Sequence, residues 1–582
     1  MKSSIYILAA FVVLFSACKK EFLERGPLDQ MEDGNYWTNE KNVRTFAYGF
    51  YPIYFNGYGS GWTWGDYFYQ GQSLNDDFAP TSPPQFTKVI PPSGGGWSFT
   101  NVRKANIMID RVRKVPGLDD ETRNHWSGIA RFFRGMEYFR LVKDFGDVPF
   151  YNRELLTTDQ EELYKPRDPR ELVMDSVLAD FEYAAANVRA SDGEKGLNVT
   201  KWVVLAYMSR IFLFEGTWQK YHEQNQAKST EYLTAAKWAA NEIITNGGYS
   251  FSHTYRESFN SLDLSTNKEM IMYRRYATGL LTHALMSYVN GEGQTGPNKD
   301  LMESYLCTDG LPVGLSTAYA GDKTNEEVRT NRDPRLLGTF NPELRPQGSI
   351  GRYNKLGVST TGYATWKFLN DDLRDKPEGQ SNVNPIHAPV IRYGEVLVTY
   401  AEACAELGTL TQADLDKSIN VLRARPSGAD AKLPPLEVVG GLPAVNGVTY
   451  DDPERDATVS AMIWEIRRER RVELTMEGYR LDDLRRWKKL AYVDMVANPD
   501  INRGAWINRA EWQKPDPPGG SWLSGVTLEG GGDEGYIIPA PSGATQRVFT
   551  DDKVYLNPLP LDQIKLYKDQ GVELIQNPGW TQ

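Results

Sequence analysis

The stretch Ile463–Lys489 reads Ile-Trp-Glu-Ile-Arg-Arg-Glu-Arg-Arg-Val-Glu-Leu-Thr-Met-Glu-Gly-Tyr-Arg-Leu-Asp-Asp-Leu-Arg-Arg-Trp-Lys-Lys. Fifteen of the residues from Glu465 to Lys489 are charged, with both signs interleaved. A run of that kind is ordinarily a solvated helix face. Thr458, Val459 and Ser460, following Pro453 and several acidic residues, read as a helix start. Gly478 is the one residue that readily permits a break, so the spacing predicts two helical pieces. Leu481, Leu484 and Trp487 give the second piece an apolar stripe, with Lys488 along its rim. The stripe of the first piece runs Val459, Ile463, Ile466, Arg470, Leu474, which places an arginine on the inward face. A buried guanidinium needs carboxylate or carbonyl partners, because an unpaired charge there costs several kcal/mol or more. Glu473, Glu477, Asp482 and Asp483 are the candidates. The stretch therefore reads as a structural hub of paired charges, with Arg470, Glu473, Gly478 and Trp487 as its defining residues, and not as a catalytic site.

Working outward, the chain of 582 residues is long enough for one large helical domain or several ordinary ones. Its net charge of -11 offers no electrostatic basis for gripping nucleic acid. Aromatic residues make up 12% of the chain, including 15 Trp and 32 Tyr, an excess that suits either a binding protein or a large core. The three cysteines, Cys18, Cys307 and Cys404, form no disulfide framework. Cys404, within Ala401-Glu-Ala-Cys-Ala, reads as a small buried apolar residue on a helix.

The N-terminus reads as an address. Lys2 and the apolar run Ile5–Phe15 form a signal peptide, too short to span a bilayer. Ser16 and Ala17 directly before Cys18 resemble the lipobox of bacterial lipoproteins, in which the cysteine is lipidated and becomes the first residue. Phe15 departs from the usual leucine. Residues 1–17 are thus expected to be removed and Cys18 to carry the lipid anchor. An ordinary secretory signal with an incidental cysteine is the alternative.

Helical periodicity is read over 33–51, 101–115, 119–145, 169–187, 200–214, 230–246, 390–406 and 412–424. Ile129, Phe132, Phe133, Met136, Phe139 and Leu141 make the third of these apolar on a broad face. Between Tyr249 and His387 the periodicity fades, and strands are short, such as Glu269–Arg275. The strings Arg468–Leu474, Glu477-Gly-Tyr-Arg480 and Asp483-Leu-Arg-Arg-Trp487 resemble the signature of the SusD/RagB family, the surface glycan-binding lipoproteins of the Bacteroidetes. Leu141–Pro149, Asp309-Gly-Leu-Pro312, Asn331–Leu336, Tyr555–Pro560 and Gln576–Trp580 match family strings in the same order, so with the lipobox the matches span Cys18 to Trp580, and residues 18–582 read as one SusD-like domain. It implies a mainly α, SusD-like fold with tetratricopeptide-like helix pairs and a loop-rich region with short strands. Ala401–Gly408 comes nearest to such a repeat unit. It also implies a SusC-like TonB-dependent outer-membrane transporter as partner, over which the protein acts as a hinged lid, and display on the cell surface.

No catalytic constellation survives inspection. Gly530-Gly-Gly-Asp-Glu-Gly535 has the spacing of a phosphate loop, but Tyr-Ile-Ile-Pro follows it where a helix is required. The five histidines are scattered without ligand spacing, so neither a metal nor a cofactor is indicated. Asp76 and Asp77 are the most conspicuous carboxylate pair for a glycosidase, yet nothing marks either as acid or nucleophile.

Binding is expected in two loop-rich regions, about 56–100 and 249–388. The first carries Tyr58, Trp62, Trp64, Tyr67, Phe68 and Tyr69 among glycines, followed by Asn75, Asp76 and Asp77. Sugar rings present C–H faces that stack on aromatic rings, while amides and carboxylates reach their hydroxyls. Trp62, Trp64 and Tyr67 are the candidates for stacking, Asn75 and Asp76 for hydroxyl contacts, with Tyr276 and Trp366 in the second region. The same rings would equally cover the helical body as a second core. Arg274 and Arg275 would instead suit an acidic sugar or a peptide terminus. The reading is a glycan-binding lipoprotein without enzymatic activity. A peptide-binding RagB-like protein and a secreted glycoside hydrolase are the alternatives.

Overall fold

The computed structural model describes residues 36–63, 74–293, 295–352, 354–425, 432–542 and 546–581. The signal peptide, Cys18, Trp64 and Tyr67 lie outside them.

The helical body is built from α1 (Glu40–Tyr48), α2 (Thr100–Val112), α3 (Asp120–Phe145), α4 (Arg170–Asn187), α5 (Lys201–Trp218) and α6 (Gln226–Asn246). Each packs on its neighbour from α2 onward, α1 lying against α2 and α3. The side chain of Asp119 accepts from the Thr122 backbone N–H at 2.8 Å and starts α3. Gly146, at φ 74°, ends it, its N–H returning to the carbonyl of Val142. Gly135 allows α3 and α4 to approach closely, since a Cβ there would fall 2.8 Å from the ring of Phe181.

The chain then leaves the body through strand β1 (Met270–Arg274), α7 (Leu285–Gly291) and α8 (Pro334–Thr339), and returns through β2 (Ala388–Arg392), which pairs antiparallel with β1. Helix α9 (Tyr393–Glu406) follows directly and packs on α5 and α6. Helices α10 (Ala461–Glu473) and α11 (Arg480–Arg486) complete the framework, α10 against α9 and α11 against α5.

Three expectations are corrected here. The 390–406 segment is a strand followed by a helix, because a short apolar run such as Ala-Pro-Val-Ile reads alike in either. The 412–424 segment is two short helices, Gln412–Asp416 and Ile419–Arg423, parted around Ser418. Pro52 does not stop the first helix. It sits in the opening turn of a separate one, Tyr51–Tyr54, where a missing N–H is harmless.

Two large apolar cores result, with smaller clusters around them. The larger joins α1–α6, α9 and the leading half of α10. The smaller gathers Tyr58, Phe78, Tyr276, Leu285, Met302, Leu336 and Phe368 from the loop-rich region. Helix α10 and the turn after it separate them: Met462, Ile466 and, just past the helix, Leu474 enter the first, Val472 and, in the turn, Met476 the second. A helix covered on both sides has no solvated face, so its charges must pair internally. Arg470 donates through Nε to both oxygens of Asp483 at 2.9 Å. Glu473 accepts from Arg392, Arg425 and Arg335 at 2.6, 2.9 and 3.3 Å. Glu402 of α9 takes two bonds from Arg486 and one from the indole of Trp487. Gly478, at φ 84°, turns the chain between α10 and α11. Cys404 is buried in the larger core. No helix of the described residues is long and apolar enough to cross a membrane.

Candidate functional site

Loops 55–63, 276–284 and 381–387 run side by side at the edge of the smaller core. The Gly61 N–H donates to the carbonyl of Thr282 at 2.8 Å, and the Thr282 hydroxyl donates to that of Asn382 at 2.8 Å. His283 and Asn384 exchange backbone bonds at 3.1 Å. Glycines permit this close layering. Gly57 has φ 50°, and a Cβ there would lie 2.9 Å from that of Ala388.

The rings of these loops divide into two groups. Tyr58 and Tyr276 face inward. The Tyr58 hydroxyl donates to the Phe259 carbonyl at 2.8 Å, and that of Tyr276 donates to Gly59 at 2.8 Å while accepting from the Tyr58 N–H at 3.0 Å. His283 wedges between them, its ring centroid 5.1 Å from Tyr58 and 4.5 Å from Tyr276. Burial pushes its imidazole down to about 3, so it stays neutral. Trp62 faces outward and is 52% exposed. Its carbonyl accepts from the hydroxyl of Tyr288 on α7, and its ring lies 6.1 Å from that of Tyr288. Leu280 and Val383, on the two adjoining loops, are exposed as well. The edge thus carries one large ring on a base fixed by buried hydrogen bonds.

Helix α7 leads from Tyr288 into a polar cleft of about 550 Å³, which begins two residues past its end at Gly293. Thr81 and Ser82 line it from the first loop-rich region, Thr295, Gln347, Arg352 and Thr360 from the second, and residues 525–527 and 537–539 close it. Hydroxyls, an amide and an exposed guanidinium suit a polyhydroxylated ligand. The Thr295 Oγ1 is buried and has no hydrogen-bond partner. Sequence reading marked both regions but named none of these side chains. Their only signal is the density of Gly and Pro that lets separate loops converge.

Several expected contacts are corrected by placement. Asn75 and Asp76 are buried, not presented. Asp76 accepts from Arg480 through both oxygens at 2.7 and 2.6 Å, and Asp77 from Arg471 at 2.7 Å. Burial pushes the Asp76 carboxyl up, but Arg480 and Arg471 outweigh it and hold the group below the usual range. The Asn75 side chain accepts from the Asp77 N–H at 3.0 Å. Tyr276 supports the loop from within. Arg274 donates to the carbonyl of Asn56, and Arg275 pairs with Glu194. Trp366 is half-buried in the wall of a different cleft, with the Arg256 guanidinium 4.0 Å above its ring. Of the expected ligand rings within the described segments, Trp62 alone is exposed, and Arg275 is exposed beside its partner Glu194.

A family model described as the SusD family matches residues 260–580, more than half of the chain. The chain belongs to the SusD family. The matched span holds most of the second loop-rich region, β1, β2 and the α9–α11 hub of this SusD-family chain. A second model, described as "Starch-binding associating with outer membrane", matches residues 97–213, which contain α2–α4 and most of α5. Among relatives, a SusD-like protein of Formosa agariphila is 23% identical over 85% of this chain and 93% of its own. A SusD-like protein of Bacteroides ovatus is 22% identical over 69% of this chain and 72% of its own. The fold is similar to that of a SusD-like carbohydrate-binding protein of Bacteroides fragilis, with a TM-score of 0.63 and 21% identity, over 91% of this chain and 99% of that one. It is also similar to a laminarin-binding SusD-like protein, with a TM-score of 0.54 and 17% identity, over 94% of this chain and 100% of that one.

Proposed function

We propose that this SusD-family protein captures a glycan at the Trp62 edge and in the polar cleft past the end of α7, and passes it to a SusC-like TonB-dependent transporter of the outer membrane. Cys18, carrying lipid, anchors it there facing outward. The observation that carries the reading is the half-exposed indole of Trp62 on a base already fixed by buried hydrogen bonds. A ring held in place before binding loses little freedom when a sugar face stacks on it. Relatives of the same fold are named for carbohydrate and laminarin binding, and one matching family model is described as associating with the outer membrane, which supports the outer-membrane setting.

Capture is noncovalent. The C–H face of a sugar lies on Trp62, and its hydroxyls meet the amide of Gln347, the hydroxyls of Ser82 and Thr295 and the guanidinium of Arg352. The Asp76–Asp77 pair is committed to Arg480 and Arg471, which supports binding without bond cleavage. Affinity electrophoresis on a panel of polysaccharides tests the reading. Retardation by at least one polysaccharide is expected, and free migration through the whole panel would refute it.

A further inference from the structure

A second cleft, of about 340 Å³, lies away from the Trp62 edge between α8, Thr254–Arg256 and the end of the Ile419–Arg423 helix. Its volume falls at the lower end of the roughly 300–1,000 Å³ of small-ligand sites. Arg256, Arg335, Arg423 and Arg425 line it against a single carboxylate, Asp333, with Trp366 in its wall. The carboxylates that balance the inner arginines stand behind them. Glu269, Glu465, Glu469 and Glu473 accept from Arg335, Arg423 or Arg425, and none of the four lines the cleft.

Three of these arginines are fully engaged. Arg335 donates to Asp333, Glu469 and Glu473, Arg423 to Glu465, Glu469 and the Pro434 carbonyl, and Arg256 to Asp371 and two carbonyls. Arg425 is different. Its Nη2 meets Glu269 and Glu473 at 2.9 Å each, whereas its Nε and Nη1 are buried with no hydrogen-bond partner. The residue is 4% exposed, and the Phe251 ring lies 3.9 Å from its guanidinium. That ring satisfies charge but accepts no in-plane hydrogen bond. Buried guanidinium donors without acceptors are costly to leave so.

We propose that this cleft is an oxyanion site that takes a carboxylate or sulfate group, with Arg425 supplying the free donors and Arg256 and Trp366 forming its mouth. The group is either a free ion or the acidic substituent of a saccharide. The proposal is independent of the Trp62 edge, and each stands or falls without the other.

Isothermal titration of the purified protein tests it, with sodium sulfate, sodium glucuronate and neutral glucose at ionic strength held constant with sodium chloride. Saturable binding of at least one anion is expected, with none for glucose. Binding of glucuronate alone assigns the site to an acidic sugar, and of sulfate alone to a sulfate group. Arg425→Lys keeps a positive charge toward Glu269 and Glu473 while removing donors, and is expected to weaken binding about tenfold or more. Gly338→Leu provides a second variant that leaves every arginine in place. Gly338 lines the cleft, and a Cβ there meets Tyr255 and Arg256 at ordinary contact distances of 3.7 and 3.9 Å, so a larger side chain is introduced at the cleft wall without a backbone clash at Cβ. It is expected to abolish anion binding. The absence of saturable binding in the unaltered protein, or its persistence in Gly338→Leu, would overturn the proposal.

Discussion

At Asp76 a single carboxylate separates two roles that its sequence neighbourhood leaves equal. Set among aromatic residues and glycines, it resembles a ligand contact. In the fold it is the anchor of Arg480, 404 positions away. Such a partner is invisible locally, which is why the stacking and supporting residues of this region could not be told apart in sequence. Tyr276 is the same case, a ring-bearing loop residue whose hydroxyl is spent on the backbone of 58 and 59. Asp76→Asn is expected to destabilise the protein by about 3 kcal/mol, since it leaves the largely enclosed guanidinium of Arg480 without its carboxylate partner. Tyr276→Phe is expected to cost about 1–3 kcal/mol by leaving the Tyr58 N–H without its acceptor. Chemical denaturation measures both. A near-native melting curve for Asp76→Asn would mean that the carboxylate is not a structural anchor.

Among the elements, α10 and α11 were the most legible. The inward arginine, the break at Gly478 and the closing Trp487 follow from spacing and from the conformational freedom of glycine. The partner of Arg470 was among the nearby carboxylates, and Asp483 takes that place. What spacing could not supply was the share of other elements: Glu402 from α9, Arg392 from β2, Arg335 from α8. Nor could it show that Glu473 serves those arginines instead of Arg470. The β2 strand was hidden for a related reason, since five apolar-rich residues carry no period of their own. Glu473 sits where three arginines converge. Burial pushes its carboxyl up, but Arg425, Arg392 and Arg335 overcome this and hold it at about 2. Glu473→Gln is expected to cost about 3–5 kcal/mol, read as a lowered denaturation midpoint at neutral pH. Gly478→Ala is expected to cost about 1–2 kcal/mol through its left-handed backbone.

Across the whole molecule, buried titratable groups make the fold sensitive to acid. Burial pushes His125 to about 4 and His222 and His283 to about 3. Unfolded, each takes up a proton near pH 6.5, so below about pH 6.5 the unfolded chain binds more protons and stability falls with pH. Glu473 and Glu402, both held at about 2 by arginines that outweigh their burial, extend the loss. Their charged forms stabilise the fold fully above the unfolded value of about 4.3, and that stabilisation fades as pH drops toward their folded values. The Tm is expected to decline continuously from about pH 6.5 downward. A flat Tm across that interval would show that these groups are not held as described.

The two large cores and the helix between them support an exposed ring, Trp62, beside α7, the helix that leads to a polar cleft. The comparison that tests this most directly is affinity electrophoresis of Trp62→Ala beside the unaltered protein, on a polysaccharide that retards the latter, with thermal melting of both. Removing a half-exposed side chain is expected to change stability by no more than about 0.5 kcal/mol. The loss of a stacking ring at the centre of a binding surface is expected to weaken retention by about tenfold or more. Retardation lost with the melting curve unchanged is the predicted result. Retardation kept, or a melting temperature that collapses with it, would contradict the account.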